Sequence, residues 1–200
     1  PGGGDTTSSC FAYIAKDAKC KTVENWVVNT SNNDGLGDSF VFDTLVNSIA
    51  EWEDAADGSV DSIEGADILG NGSTTGSILS ADMTSPDHMN EVYFADISEP
   101  GVIGVTITWG IFNGPPFARE LIEWDQVYDD VDFDWTEDAV VEPSKMDFKN
   151  IAMHELGHAM GMSHPDLTCT LETMFRSATE GEIIKRDLHD GDIAGIDGLY

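Results

Sequence analysis

Basic residues are scarce in this chain of 200 residues. Nine Lys and Arg stand against 38 Asp and Glu, giving a formal net charge of −29. That shortage argues against nucleic acid as a partner, because phosphate binding needs clustered cations, and against an anionic membrane surface. Long apolar runs are also missing. No stretch reaches the roughly 18 apolar residues that a membrane span requires, so membrane insertion is not expected. Cysteine is limited to Cys10, Cys20 and Cys169. No Cys-x-x-Cys pair occurs among them, which argues against a cysteine-built zinc site. The three can form one disulfide in any of three ways, with one thiol left over, or all remain free. The chain does not open on Met, which suggests a processed or trimmed start. Residues 1–9 read as a flexible leader and not as a signal peptide.

What remains is a folded chain. Hydrophobic residues make up 40% and there are five tryptophans, enough for one domain with a real core. The acidic excess reads as a solvated shell that keeps the protein soluble, as in adaptation to high salt; alternatively, some of the carboxylates bind Ca²⁺.

Histidine is rare as well, and its distribution is uneven. Three of the five histidines fall in the run His154-Glu155-Leu156-Gly157-His158-Ala159-Met160-Gly161-Met162-Ser163-His164. Two histidines four apart on a helix project from one face, and the third follows a glycine that can turn the chain back. Three neutral imidazoles suit Zn²⁺ and leave its fourth tetrahedral position to water. Glu155 stands beside the first ligand, where a carboxylate can take a proton from that water. Such a pattern would arise by chance in roughly one chain in 10⁵ at average residue usage. The plain alternative is an amphipathic helix with three unrelated histidines. Gly161-Met162-Ser163-His164-Pro165 only half-matches the Gly-x-Ser-x-Gly of serine hydrolases, and Ser163 lies between metal-site residues.

The run fills every fixed position of His-Glu-x-x-His-x-x-Gly-x-x-His and so resembles the metzincin zinc proteases. Thr173-Met174-Phe175 fits the place of their methionine turn. The chain's last segment, 188–200, resembles the closing helix of the matrixin branch through its Asp-Ile-x-Gly-Ile-x-x-Leu-Tyr pattern. Segments 91–97 and 101–106 resemble the strands bordering a matrixin cleft. Arg176 stands where astacins and serralysins carry a tyrosine, which favours matrixins, and the looser bacterial and archaeal matrixin-like proteases are the nearest fit. The cysteine-switch motif is absent. Outside the run only His88 and His189 remain, so the structural zinc of animal matrixins is not carried over.

This resemblance implies an α+β metzincin catalytic domain: an N-terminal mixed twisted sheet with two long helices, and a small C-terminal subdomain ending in a helix. It implies a secreted, extracellular zinc endopeptidase, monomeric, acting on extended protein or peptide substrates, with Glu155 as general base and His154, His158 and His164 as ligands. Met174 would support the imidazoles from below. Ile103, Gly104, Val105 and Thr106 would pair with substrate by strand addition, and residues 175–186 would wall the pocket beyond the cut. Arg176 is a candidate helper for the oxyanion or simply a surface cation. The net charge should favour cationic substrates. The densest acidic stretch, 123–134, falls where matrixins bind structural Ca²⁺. Asp130, Asp132 and Asp134 are its candidate ligands, although Trp135 occupies the place where an EF-hand needs glycine. The competing functional class is a catalytically silent calcium- and zinc-binding module on the same fold.

Local patterns give the elements. Residues 23–28 read as a first strand. Asp38 can cap a helix whose buried stripe is Phe42, Leu45, Val46, Ile49 and Trp52. Residues 70–77 read as a mobile surface loop. Strands are expected at 92–95, 102–109 and 121–127, with a turn at 98–101. Ser144 or Asp147 can cap the helix carrying His154 and His158, in which Gly157 should cost about 1 kcal/mol against alanine. Asp190 can cap the last helix, with Ile193, Ile196 and Tyr200 facing inward. The expected division is an N-terminal subdomain at about 10–161 and a C-terminal one at about 162–200, with the cleft between them.

Overall fold

The structure, a computed structural model, describes residues 9–23, 25–58 and 65–200. Residues 1–8 of the expected leader at 1–9, and Glu24 within the first expected strand, lie outside the described residues. The fold is α+β, built on a mixed sheet. In chain order the elements are β1 (Ala12–Tyr13), β2 (Trp26–Val28), α1 (Asp38–Ala55), β3 (Gly72–Thr74), β4 (Asn90–Phe94), β5 (Gly104–Ile111) and β6 (Glu120–Tyr128). They continue with β7 (Trp135–Thr136), β8 (Met146–Asp147), α2 (Phe148–Ala159), β9 (Met162–Ser163) and α3 (Asp190–Leu199).

The five-stranded sheet has the order β3-β2-β4-β6-β5. β2 pairs in parallel with β3 and β4, and β4 with β6. Only β5 runs antiparallel, matching Gly104 to Tyr128 and slipping register between Trp109 and Gly110. β5 is therefore an edge strand, with one side of its backbone unpaired in the sheet. β3 corrects the loop expected at 70–77. Gly72 pairs with Trp26, and a Cβ at Gly72 would come within 2.2 Å of the Trp26 ring, so the glycine admits the indole over the strand.

α1 buries Val41, Leu45, Ile49 and Trp52, one residue per turn. Val46 departs from the expected stripe and is 39% exposed, and Phe42 is half-buried. Gly37, not Asp38, is the N-cap; Asp38 instead accepts a hydrogen bond from the Thr30 hydroxyl at 2.7 Å. Trp52 crosses to α2 and donates its indole N–H to the Met153 carbonyl at 2.9 Å. Between sheet and α2, Tyr128, Trp135, Phe94 and Phe148 form an aromatic cluster with centroids 5.1 to 6.4 Å apart, each such pair contributing about 0.5–1.5 kcal/mol beyond area burial.

Two links close the N-terminal segment onto the last third of the chain. β1 pairs with β9, Ala12 opposite Ser163 and Tyr13 opposite Met162. Cys10 is bonded to Cys169, which selects one of the three possible pairings and leaves Cys20 as the remaining thiol.

Candidate metal centre

α2 begins at Asp147, whose carboxylate accepts the Asn150 N–H at 2.9 Å. That choice settles the cap between the two expected candidates. Arg186 grips the same carboxylate with two donors, Nε on Oδ1 at 3.0 Å and Nη2 on Oδ2, so the helix start is anchored to the segment that follows the third histidine. Phe148, Ile151, Ala152, Met153, Leu156 and Ala159 are buried, which fixes the helix's rotation. After Met160 the chain reverses at Gly161, whose φ of 103° suits glycine. A Cβ there would also meet the Ala18 carbonyl oxygen at 2.9 Å. The reversal returns His164 to the helix face.

The three imidazoles converge. His164 Nε2 lies 3.1 Å from His154 Nε2 and 3.1 Å from His158 Nε2. The other ring nitrogens are engaged by backbone: His154 Nδ1 donates to the Thr173 carbonyl at 2.7 Å and His158 Nδ1 to the Met162 carbonyl at 2.9 Å. With those protons on Nδ1, the Nε2 atoms of His154 and His158 present lone pairs to a common centre. Three such nitrogens around a tetrahedral Zn²⁺ at 2.0–2.1 Å stand about 3.3 Å apart, so the spacing and donor set fit that ion. Burial, the largest cause for each, holds all three below the ordinary histidine value, His164 down to about 4. Neutral rings are the ligating form.

Glu155 lies in the same cleft, a cavity of about 620 Å³ bordered by residues 101–106 of the β5 side and by Phe175, Arg176 and Lys185 opposite. Burial pushes its carboxyl up to about 7, partly offset by a hydrogen bond from the Thr106 hydroxyl at 2.7 Å. Thr106, expected to serve substrate, thus commits its side chain to Glu155. Gly104 gives the carboxylate room, since a Cβ there would stand 3.2 Å from Oε1. Ile103 and Val105 also line the cleft.

Met174 packs under α2, as a Cβ on Gly157 would fall 2.2 Å from its sulfur. The turn carrying it is held by Asp192, the first residue of the Asp-Ile-x-Gly pattern in the closing helix. Its buried carboxylate accepts the N–H groups of Thr173 at 2.7 Å, Met174 at 3.1 Å and His189 at 3.1 Å. The last of these makes His189, not Asp190, the N-cap of α3. A line of contacts therefore runs from His154 through Thr173 to the start of α3. Lys185, 1% exposed, donates to the Ser177 carbonyl and to Glu182.

The carboxylates expected to hold calcium are placed differently. Among the described residues Asp130, Asp132 and Asp134 do not form a group of ligand atoms within 4.8 Å of one another. Asp130 instead accepts the Asn33 N–H at 2.8 Å. The neighbouring Asp129 organises the loop by accepting from Val131, Asp132 and Ile97.

Comparison with curated proteins gives no match. Comparison with family models matches residues 24–200, nearly the whole chain, to the matrixins. The converged histidines, the glycine reversal and the methionine turn all lie within the matched span, and the chain belongs to the matrixin family of zinc-dependent peptidases.

Proposed function

We propose that this protein is an active zinc endopeptidase that cuts extended polypeptide laid along β5. The observation that carries the reading is the presence, in one cleft, of three converging Nε2 atoms, the Glu155 carboxylate and an unpaired strand edge.

A bound Zn²⁺ would be held by His154, His158 and His164 and would supply Lewis-acid activation of water and carbonyl. Glu155 accepts a proton from the attacking water and delivers it to the departing amine. The Thr106 hydroxyl orients that carboxylate. The outer edge of β5 supplies backbone donors and acceptors that align the peptide as an added strand, which selects unfolded or loop segments over folded ones. Phe175, Arg176 and Lys185 wall the opposite side. An extracellular location is part of the proposal, supported by the Cys10–Cys169 bond, since such bonds persist in oxidising compartments.

The test is hydrolysis of casein and of a quenched peptide library by the zinc-loaded chain and by Glu155→Ala. The variant should retain zinc and lose about 10²–10⁴-fold in kcat. Equal cleavage by both proteins would refute the role given to Glu155. Absence of cleavage in the zinc-loaded wild type would favour the silent binding module.

A further inference from the structure

Besides the histidines, three ionisable side chains line the cleft: Glu155, Arg176 and Lys185. Two of them are engaged. Glu155 accepts the Thr106 hydroxyl at 2.7 Å. The Lys185 ammonium is paired with Glu182 Oε1 at 2.6 Å, which answers its charge. Arg176 differs. Among the described residues its guanidinium makes no hydrogen bond and no ion pair, in a chain with 38 Asp and Glu. Asp166 feels its charge, yet directs Oδ1 to the Thr168 N–H at 3.0 Å and to the Thr168 hydroxyl at 2.8 Å.

The stretch that carries Arg176 is clamped on both sides. Asp192 holds the Met174 N–H at 3.1 Å, Phe175 N donates to the Glu172 carbonyl at 3.0 Å, and Lys185 Nζ donates to the Ser177 carbonyl at 2.9 Å. Lys185 is tied in turn to α2, its backbone N–H on Asn150 Oδ1 at 2.7 Å. The backbone at Arg176 is therefore set, while its side chain stays exposed at the cleft wall. Val102, Ile103, Phe175 and Ala178 make the surrounding lining largely apolar, and low-dielectric surroundings strengthen a charge interaction. A guanidinium presents a planar fork of N–H donors that matches a carboxylate with two parallel bonds. Among the described residues nothing fills that fork.

We propose that Arg176 is a specificity-determining residue that receives the carboxylate of an Asp or Glu side chain at the first substrate position beyond the cut. The inference rests on the peptidase reading, in which residues 175–186 wall that side of the cleft. Arg176 stands two residues from Met174, which packs beneath the histidine helix, so the position it serves adjoins the bond to be cut. Its effect is distinct from that of the overall charge. The net charge of −29 acts on a peptide as a whole and draws basic ones. Arg176 acts on one side chain at short range. The favoured substrate is thus a basic segment with an acidic residue just past the scissile bond.

The experiment uses the full, zinc-loaded chain at about 0.15 M NaCl, where exposed charges are screened beyond about 8 Å. A cut is first mapped with the peptide library. Quenched, C-terminally amidated peptides then differ only at the residue after that cut, which is Glu, Gln or Lys, so that this side chain alone varies the charge. kcat/KM should favour Glu over Gln by about 10-fold, with Lys the poorest. Arg176→Gln should bring the Glu-to-Gln ratio near unity, Arg176→Lys should keep part of it, and Arg176→Glu should put Lys ahead of Glu. All three variants should hold zinc and melt with wild type, because the side chain is exposed and unbonded. A second readout needs no turnover. Hydroxamate ligands, whose zinc-binding group sets the register, carry Glu, Gln or Lys at the next position, and calorimetric titration should give the same order and the same dependence on Arg176. Peptides left uncut while these ligands still discriminate would count against peptidase activity and for the subsite. Equal kcat/KM for Glu and Gln, ligand binding that is equal or absent, or a ratio unchanged in Arg176→Gln would overturn the subsite.

Discussion

Gly157 shows how tightly single positions are set around the histidines. In an exposed helix, alanine in its place would gain about 1 kcal/mol. Here the added carbon would stand 2.2 Å from the Met174 sulfur and 2.8 Å from the Trp52 ring. Gly157→Ala should therefore destabilise by about 1–3 kcal/mol, read by urea unfolding, and should weaken zinc retention in a chelator competition, because Met174 adjoins the carbonyl that braces His154. Unchanged stability would mean that Met174 moves aside freely. At this scale the histidines and Glu155 were legible, since a helix period and one glycine reversal determine where they point. The bond from the Thr106 hydroxyl to Glu155 was not legible, because a β-branched residue in a strand carries no sign of which face meets a helix. Asp192 was visible only as part of the closing-helix pattern, and its role was not legible because its N–H partners include Thr173 and Met174, brought to it only in the folded chain.

Elements were legible in proportion to their length. α1, α2, β5 and β6 carry enough residues to display a period. β1, β3, β7, β8 and β9 have two or three residues each, too few for alternation to register, and they exist because tertiary partners pair with them. The Cys10–Cys169 bond was open for the same reason, as three cysteines pair by proximity and not by spacing. Its sequence separation of 159 restricts much of the unfolded chain, so replacing both cysteines with serine should cost about 2–5 kcal/mol. Denaturant titration of the double variant measures this. A loss below about 1 kcal/mol would show that β1–β9 pairing alone secures that region. The effect should fall first on residues 162–174, which lie between that pairing and the methionine turn.

The whole molecule is dominated by like charge. At −29 the folded state repels itself, and added salt screens that repulsion over about 10 Å at 0.1 M. Melting temperature should climb as NaCl rises from low to near-molar concentration, a trend that differential scanning fluorimetry records; a flat or falling profile would contradict it. Peptides rich in Lys and Arg should be cleaved faster than acidic ones at low salt, with the gap narrowing as salt is added. Composition alone made this property legible, whereas it gave no hint of the inward-facing Lys185. The tether near the N-terminal end of the described chain has one more outcome. On the proposed function the enzyme must withhold its own slack strands, and the covalent link at Cys10, with β1 held against β9, would keep one such strand from becoming food for a neighbouring molecule. Mild reduction should start autolysis in a concentrated, zinc-loaded sample, with the first cuts in that freed segment, while the oxidised protein stays whole.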